Sequence, residues 1–222
     1  NDGVEKAIDL GVACWPSRGD AKTSISRCYF AEDAAAVVAL AYGSDLAAYE
    51  GFRVLQLMRG TGDKQKYAYE TLDILRGRGN GDMDFFGNIT RQEAAVMLAR
   101  AYRIYCDEIH DDMEPLAYAD KNDIADWAKE DVALITHLGV MNGIGENKFD
   151  PKGVYTLEQC FVTLVRLYEK TAQGKTPVGE NPFPLTEREK VIGCTWRGVK
   201  VIDYVENDNI VAITMAGDNQ SL

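Results

Sequence analysis

Three stretches of the chain carry the same order of apolar and polar positions. Tyr29 to Tyr42 reads YFAEDAAAVVALAY, Ile89 to Tyr102 reads ITRQEAAVMLARAY, and Tyr155 to Tyr168 reads YTLEQCFVTLVRLY. Aligned without a gap, each opens on a bulky apolar residue and closes on tyrosine. The fifth position holds Asp33, Glu93 and Gln159; the sixth is small in each, Ala34, Ala94 and Cys160; the tenth is Val38, Leu98 and Leu164. Positions six, ten and thirteen or fourteen share one face of a 3.6-residue helix, so the pattern predicts three versions of one amphipathic helix. A shorter apolar-periodic segment precedes each: VEKAIDLG (Val4 to Gly11), YAYETLDILRG (Tyr67 to Gly77) and DVALITHLG (Asp131 to Gly139). The closing glycines Gly11, Gly77 and Gly139 fit left-handed C-caps. The unit is therefore helix–loop–helix, three times, at offsets of 60 and 66 residues. One such unit cannot bury its apolar face, whereas three packed together can.

The second helices differ at their starts. Thr90-Arg91-Gln92-Glu93 is a capping box, in which the threonine oxygen accepts from the glutamate amide and the glutamate reaches back. Thr156-Leu157-Glu158-Gln159 follows the same rule with glutamine. At the aligned positions the first copy has Phe30-Ala31-Glu32-Asp33, without a cap hydroxyl, which predicts a helix start weaker by about 1 kcal/mol. Ser44 to Gly60 reads as an extra helix between copies one and two. Residues 171–184 hold three prolines and two glycines and read as a linker. Val191 to Trp196, Val199 to Glu206 and Ile210 to Ala216 are rich in β-branched residues and predict a small three-strand meander. The expected organisation is mainly α: a domain over 1–170, with repeats at about 1–43, 64–106 and 117–170 and an inserted helix at about 44–60. The linker follows, then the β meander at 185–222. Three strands alone are marginal. The meander either packs on the helices or belongs to a larger β domain cut within the chain.

Composition narrows the function classes. The 222 residues include 24 Lys and Arg against 35 Asp and Glu, a net charge of −11. This argues against nucleic acid and anionic membrane as partners, because both require clustered positive charge. The longest nearly apolar stretch, AAAVVALAYG, is far short of the ~20 residues of a membrane span. A chain beginning at Asn1 rather than Met reads as mature or trimmed, compatible with a removed export signal. Five cysteines form no CxxC. Cys14 and Cys28 flank a loop and are candidates for a disulfide, and the odd count leaves at least one unpaired. Cys106 and His110 are four apart, but two ligands do not make a zinc site. Asn80 to Asp84 begins like a calcium loop, then fails with Phe85 at the sixth position and Arg91 at the twelfth. No nucleophile elbow, zinc helix, phosphate loop or dinucleotide fingerprint is present. The expectation is a non-catalytic protein with no cofactor and no metal.

The third copy carries more than periodicity. Tyr118-Ala119-Asp120 is followed by Ile124-Ala125-Asp126-Trp127-Ala128, then Leu138-Gly139-Val140, Gly143-Ile144-Gly145, Phe149-Asp150-Pro151 and the YTLEQ helix start. This order resembles the S-layer homology (SLH) repeat of bacterial surface proteins, and Ile89-Thr90-Arg91-Gln92-Glu93-Ala94 resembles its closing element. The likeness covers about residues 1–170 and is weakest in copy one. It implies three degenerate SLH-like repeats in a pseudo-threefold bundle on a bacterial cell surface. It further implies that grooves between repeats bind the pyruvylated secondary polysaccharide of the cell wall. In that scheme an arginine meets the acidic ketal while a tryptophan and glycines shape the groove. Carried over residue by residue, the glycan-binding candidates are Thr90, Arg91 and Glu93 with Trp127, Gly143 and Gly145. A guanidinium fork suits a carboxylate and an indole suits a sugar face. The chain departs from the pattern where Ala31 and Leu157 align with Arg91, and where Gln65 aligns with Trp127. Anchoring through the groove between copies two and three is one expectation. An SLH-fold module that has lost glycan binding and serves surface-protein assembly is the other. A wall-glycan hydrolase would need a carboxylate pair in a cleft.

Overall fold

The computed structural model describes residues 2–9, 22–42, 73–79, 82–106, 110 and 113–172, and the backbone of 195–196, 199–207 and 210–217. The anticipated cap at Gly11, the helix over 44–60, most of the segment from Tyr67 to Gly77, residues 173–184 and Cys14 lie outside these residues. The described chain is mainly helical. It contains α1 (Asp2–Asp9), α2 (Arg27–Ala41), α3 (Arg91–Tyr105), α4 (Lys129–His137) and α5 (Leu157–Ala172). Two short 3-10 turns, Lys121–Asp123 and Asp126–Ala128, lead into α4. Near the C-terminus β1 (Thr195–Trp196), β2 (Val199–Asn207) and β3 (Ile210–Gly217) pair antiparallel in that order, with a register shift between Val201 and Asp203.

A closed circuit of backbone hydrogen bonds sets the long helices α2, α3 and α5. Two residues before each begins, Ile25 donates to the Tyr155 carbonyl (3.1 Å), Tyr155 to that of Ile89 (3.0 Å), and Ile89 to that of Ile25 (3.2 Å). All three residues are buried. A second set runs round the same three junctions in the opposite direction, each 3.0 Å long: Arg27 N to Gly87 O, Arg91 N to Gly153 O, and Leu157 N to Thr23 O. Extended backbone with both polar groups buried must be paired, and here each junction is paired by another. Beneath the circuit α2, α3 and α5 pack on one another, α1 lies on α5, and α4 lies on α3. Phe30 meets Tyr155 edge to face at 5.5 Å in this core, and Ala34, Ala94 and Cys160 are fully buried, as the periodicity requires.

The circuit corrects the sequence alignment of the first junction. Ile25, Ile89 and Tyr155 are equivalent, so the spacings are 64 and 66 residues rather than 60 and 66. Arg27, not Ala31, therefore stands where Arg91 stands, and Ser26 occupies the N-cap position of α2. A slip of four residues rotates a helix by only about 40°, so apolar periodicity does not detect it. The cap positions do.

Thr90 and Glu93 form the anticipated capping box. Thr156 and Gln159 reproduce it, with Gln159 N donating to Thr156 Oγ1 at 3.4 Å and Thr156 N to Gln159 Oε1 at 3.2 Å. The Ser26 side chain makes no cap bond. Gly139 (φ 70°) ends α4 as expected, with Val140 N donating to Ile135 O and Gly139 N to Thr136 O. In the preceding copy the left-handed residue is Asp73 (φ 53°), 66 positions before Gly139, and not Gly77. Gly77 and its counterpart Gly143 are needed for close approach instead. A Cβ would lie 3.0 Å from Asp82 O at the first and 2.6 Å from Lys148 O at the second. The 66-residue register also moves the counterpart of Trp127 from Gln65 to Thr61. Cys28 is a free buried thiol, and its candidate partner Cys14 lies outside the described residues.

Thr90→Ala removes a formed cap and should lower stability by about 1 kcal/mol in urea unfolding. Ser26→Ala should cost less than about 0.5 kcal/mol, because no cap bond is lost. Equal losses at the two positions would contradict this account.

Candidate functional site: two arginine-stapled grooves

Each of the first two junctions sends an arginine inward. Arg91, 4% exposed, donates through Nε to the Phe149 carbonyl (2.7 Å) and through Nη2 to the Asn142 carbonyl (2.9 Å). Its guanidinium lies 5.1 Å from the centre of the Phe149 ring. Arg27, also 4% exposed, donates through Nη1 to Met83 O (2.5 Å) and through Nη2 to Arg76 O (2.7 Å). Met83 and Arg76 precede Phe149 and Asn142 by 66 positions, so the two arginines do the same work. Each staples the start of a long helix to the loop that leads to the next junction. Burial pulls both guanidiniums below the ordinary arginine value, opposed at Arg27 chiefly by Glu93 and at Arg91 by Tyr155 and Asp150. The loop that receives Arg91 is held in turn by Asp120, which accepts from Phe149 N (2.8 Å) and Asp150 N (2.7 Å).

Beside each staple opens a groove. The second, about 470 Å³, is lined by Arg91, Asn142, Gly143, Ile144, Gln159 and Arg166 among others. The first, about 510 Å³, is lined by Arg27, Arg76, Arg78, Glu93, Arg100 and Trp127 among others. These volumes fall in the range of roughly 300–1,000 Å³ usual for small-ligand sites. The junction register pairs the linings: Asn142 replaces Arg76, Ile144 replaces Arg78, Gln159 replaces Glu93, and Arg166 replaces Arg100. The first groove is thus charged at three of these positions where the second is neutral, while Arg166 keeps the fourth cationic.

Glu93 organises the first groove. It accepts from Arg78 at both carboxylate oxygens (2.9 and 3.2 Å), and from the Thr90 amide and hydroxyl (2.9 Å each). Arg78 also pairs with Asp84. Arg27 Nε has no hydrogen-bond partner and lies 3.8 Å from Glu93 Oε1. Burial pushes the Glu93 carboxyl up, but the Arg78 and Thr90 hydrogen bonds hold it below the usual carboxylate value. Arg76 is clamped by Asp73. Arg100 differs: its hydrogen bond goes to the Ile74 carbonyl (3.1 Å), and it has no ion pair within 4.0 Å among the described residues. Arg166 likewise reaches a carbonyl, Val140 O at 3.4 Å.

The six sequence-derived candidates therefore divide. Arg91 and Gly143 line the second groove, Glu93 and Trp127 line the first, and Thr90 supports Glu93. Gly145 (φ 109°) turns the loop and accepts from Lys148 N at 2.9 Å, and it lines neither groove. Trp127 is 59% exposed, so it is not a plug between helices. Arg27, Arg76, Arg78 and Arg100 escaped the sequence reading. The Ile25-Ser26-Arg27 run, set beside Ile89-Thr90-Arg91, was the available signal for the first.

Related junctions, inward arginine staples and the grooves beside them define a mainly helical module with two comparable clefts. Residues 117–159 match the S-layer homology domain family model, so the chain carries an SLH domain over that stretch. It is similar to the exoglucanase XynX of Acetivibrio thermocellus, 33% identical over 84 residues, 38% of this chain and 8% of that protein. The amylopullulanase of Thermoanaerobacterium thermosulfurigenes is 32% identical over 84 residues, 38% of this chain and 4% of the relative. The endoglucanase of Bacillus sp. (strain KSM-635) is 30% identical over 116 residues, 50% and 12% respectively. The chain spans only a small part of the length of these curated relatives.

Arg91→Met should lower stability by about 3 kcal/mol, since two charge-assisted bonds to carbonyls vanish; a loss under about 1 kcal/mol would refute the staple. Glu93 has a depressed folded pKa, so its stabilisation is present above the unfolded value and lost as pH falls through the folded one. Stability measured from neutral to acid pH should therefore fall less steeply in Glu93→Gln than in the wild type. Parallel curves would sink that assignment.

Proposed function

We propose that this chain is a non-catalytic cell-surface module of a bacterium that anchors to secondary cell-wall polysaccharide through its inter-repeat grooves. In this reading the three junctions mark three SLH-like repeats in a pseudo-threefold bundle. The SLH domain supports a wall-associated location, and among the described residues no helix is long and apolar enough to cross a membrane. The observation that carries the reading is the first groove. In a chain of net charge −11 it gathers Arg27, Arg76, Arg78 and Arg100 beside an exposed indole. Arginine forks favour acidic groups and an exposed indole favours a sugar face, which fits a pyruvylated or otherwise acidic glycan. Trp127 keeps its proposed role as a platform. Glu93 and Thr90 hold the arginines in place, and Arg91, Gly143 and Gly145 shape the second groove and its loop.

Co-sedimentation with Gram-positive sacculi tests this. The wild type should pellet with untreated walls and stay in solution after hydrofluoric acid strips the secondary polysaccharide. Trp127→Ala should bind untreated walls at least tenfold more weakly while keeping its fold by circular dichroism. A folded wild type that ignores polysaccharide-bearing walls would move the assignment to the surface-protein interaction module.

A further inference from the structure

The first groove does not end at Trp127. Trp127 also lines a second cleft, about 420 Å³, together with Asp73, Arg76, Arg100, Arg103, Ile104 and Asp131. The two clefts share Arg76, Arg100 and Trp127. Together their linings hold five arginines against three carboxylates, Asp73, Glu93 and Asp131. Most of these cations already have an internal partner. Arg76 is held by Asp73, Arg78 by Glu93 and Asp84, and Arg103 by Asp131 with Glu130 at 3.6 Å. Arg100 sits where the clefts meet, with the Ile74 carbonyl as its hydrogen-bond acceptor. Burial, and then the nearby Arg76 charge, act against its cationic form. An anion placed there is favoured on both counts, because it relieves the desolvation and screens the like charge.

We infer that the two clefts form one continuous track with two saccharide subsites, Trp127 and Arg100 serving both. This rests on the anchoring reading above and makes it more specific. The ligand is then an acidic polysaccharide engaged over at least two consecutive sugar units, with its acidic group at Arg100. A single terminal sugar would fill only one cleft. The internal carboxylates act as competitors on the track. Asp131 occupies Arg103 in the absence of ligand, so its removal frees a cation for the glycan, whereas loss of Arg103 removes that cation.

The test uses the full chain and polysaccharide released from the sacculi by hydrofluoric acid, sized into fragments of one and of two or more repeating units, alongside the intact sacculi. The longer fragments should bind at least tenfold more tightly than the shortest. Arg100→Gln should weaken binding to intact sacculi at least tenfold. Arg103→Gln, which alters only the second cleft, should weaken it roughly threefold or more, while Asp131→Asn should tighten it at low salt. Both Arg103 and Asp131 variants lose the same ion pair, so a merely structural role would move them in the same direction. Weakening by both, or no effect of Arg103→Gln on walls that the wild type binds, overturns the track and leaves anchoring intact. A folded wild type that binds neither walls nor fragments overturns both readings.

Discussion

The three-membered circuit of hydrogen bonds among Ile25, Ile89 and Tyr155 is the constraint on which the rest depends. Each link joins residues 64 or more positions apart, and each leaves no buried polar group unpaired at that point. Because every junction both donates and accepts, the geometry at one is inherited by the other two. The helices that follow start in fixed directions, and Ala34, Ala94 and Cys160 on them are fully buried in the core. The arginine staples come next in this hierarchy. A guanidinium that is 4% exposed is tolerated because its donors meet carbonyls in the adjacent loop, and that loop must then run where the carbonyls are presented.

The grooves are a by-product of this framework, and their chemistry is set by residues the framework does not fix. Arg76 and Asn142 occupy the same framework position, and both offer a carbonyl to a staple. Their side chains are free to differ, and so are those of Arg78 and Ile144. One scaffold can therefore carry a strongly cationic groove beside a less charged one. The acidic balance of the whole chain gives no hint of this, since net charge sums over a surface while recognition depends on its distribution.

Sequence patterning reached the helices α2 to α5, the caps at Thr90, Thr156 and Gly139, and the family likeness. The capping box at Thr90 and Glu93, and its glutamine version at Thr156, were legible because cap chemistry needs particular side chains at fixed spacing. The first junction was misread by one turn because Tyr29 offers the same bulk as Ile89 and Tyr155, and helical periodicity barely changes on a four-residue slip. Of the site, Trp127, Glu93 and Arg91 were visible through motif resemblance. Arg76, Arg78 and Arg100 were not, because their convergence depends on a loop and a helix that meet only after folding. Nor could spacing reveal that Arg91 spends its donors on backbone carbonyls.

The circuit also has a temporal side. Its links span most of the helical chain, so this is a topology of high contact order, and loop closure must precede the reward. During synthesis the Ile25 amide and the Ile89 carbonyl have no partner until Tyr155 has left the ribosome. Copies one and two can collapse earlier, but the circuit stays open until then, with Phe30 lacking the ring that meets its edge. A chain cut between the second and third junctions would keep one link of the three and expose the rest, which makes the last repeat the one that completes the fold of the first.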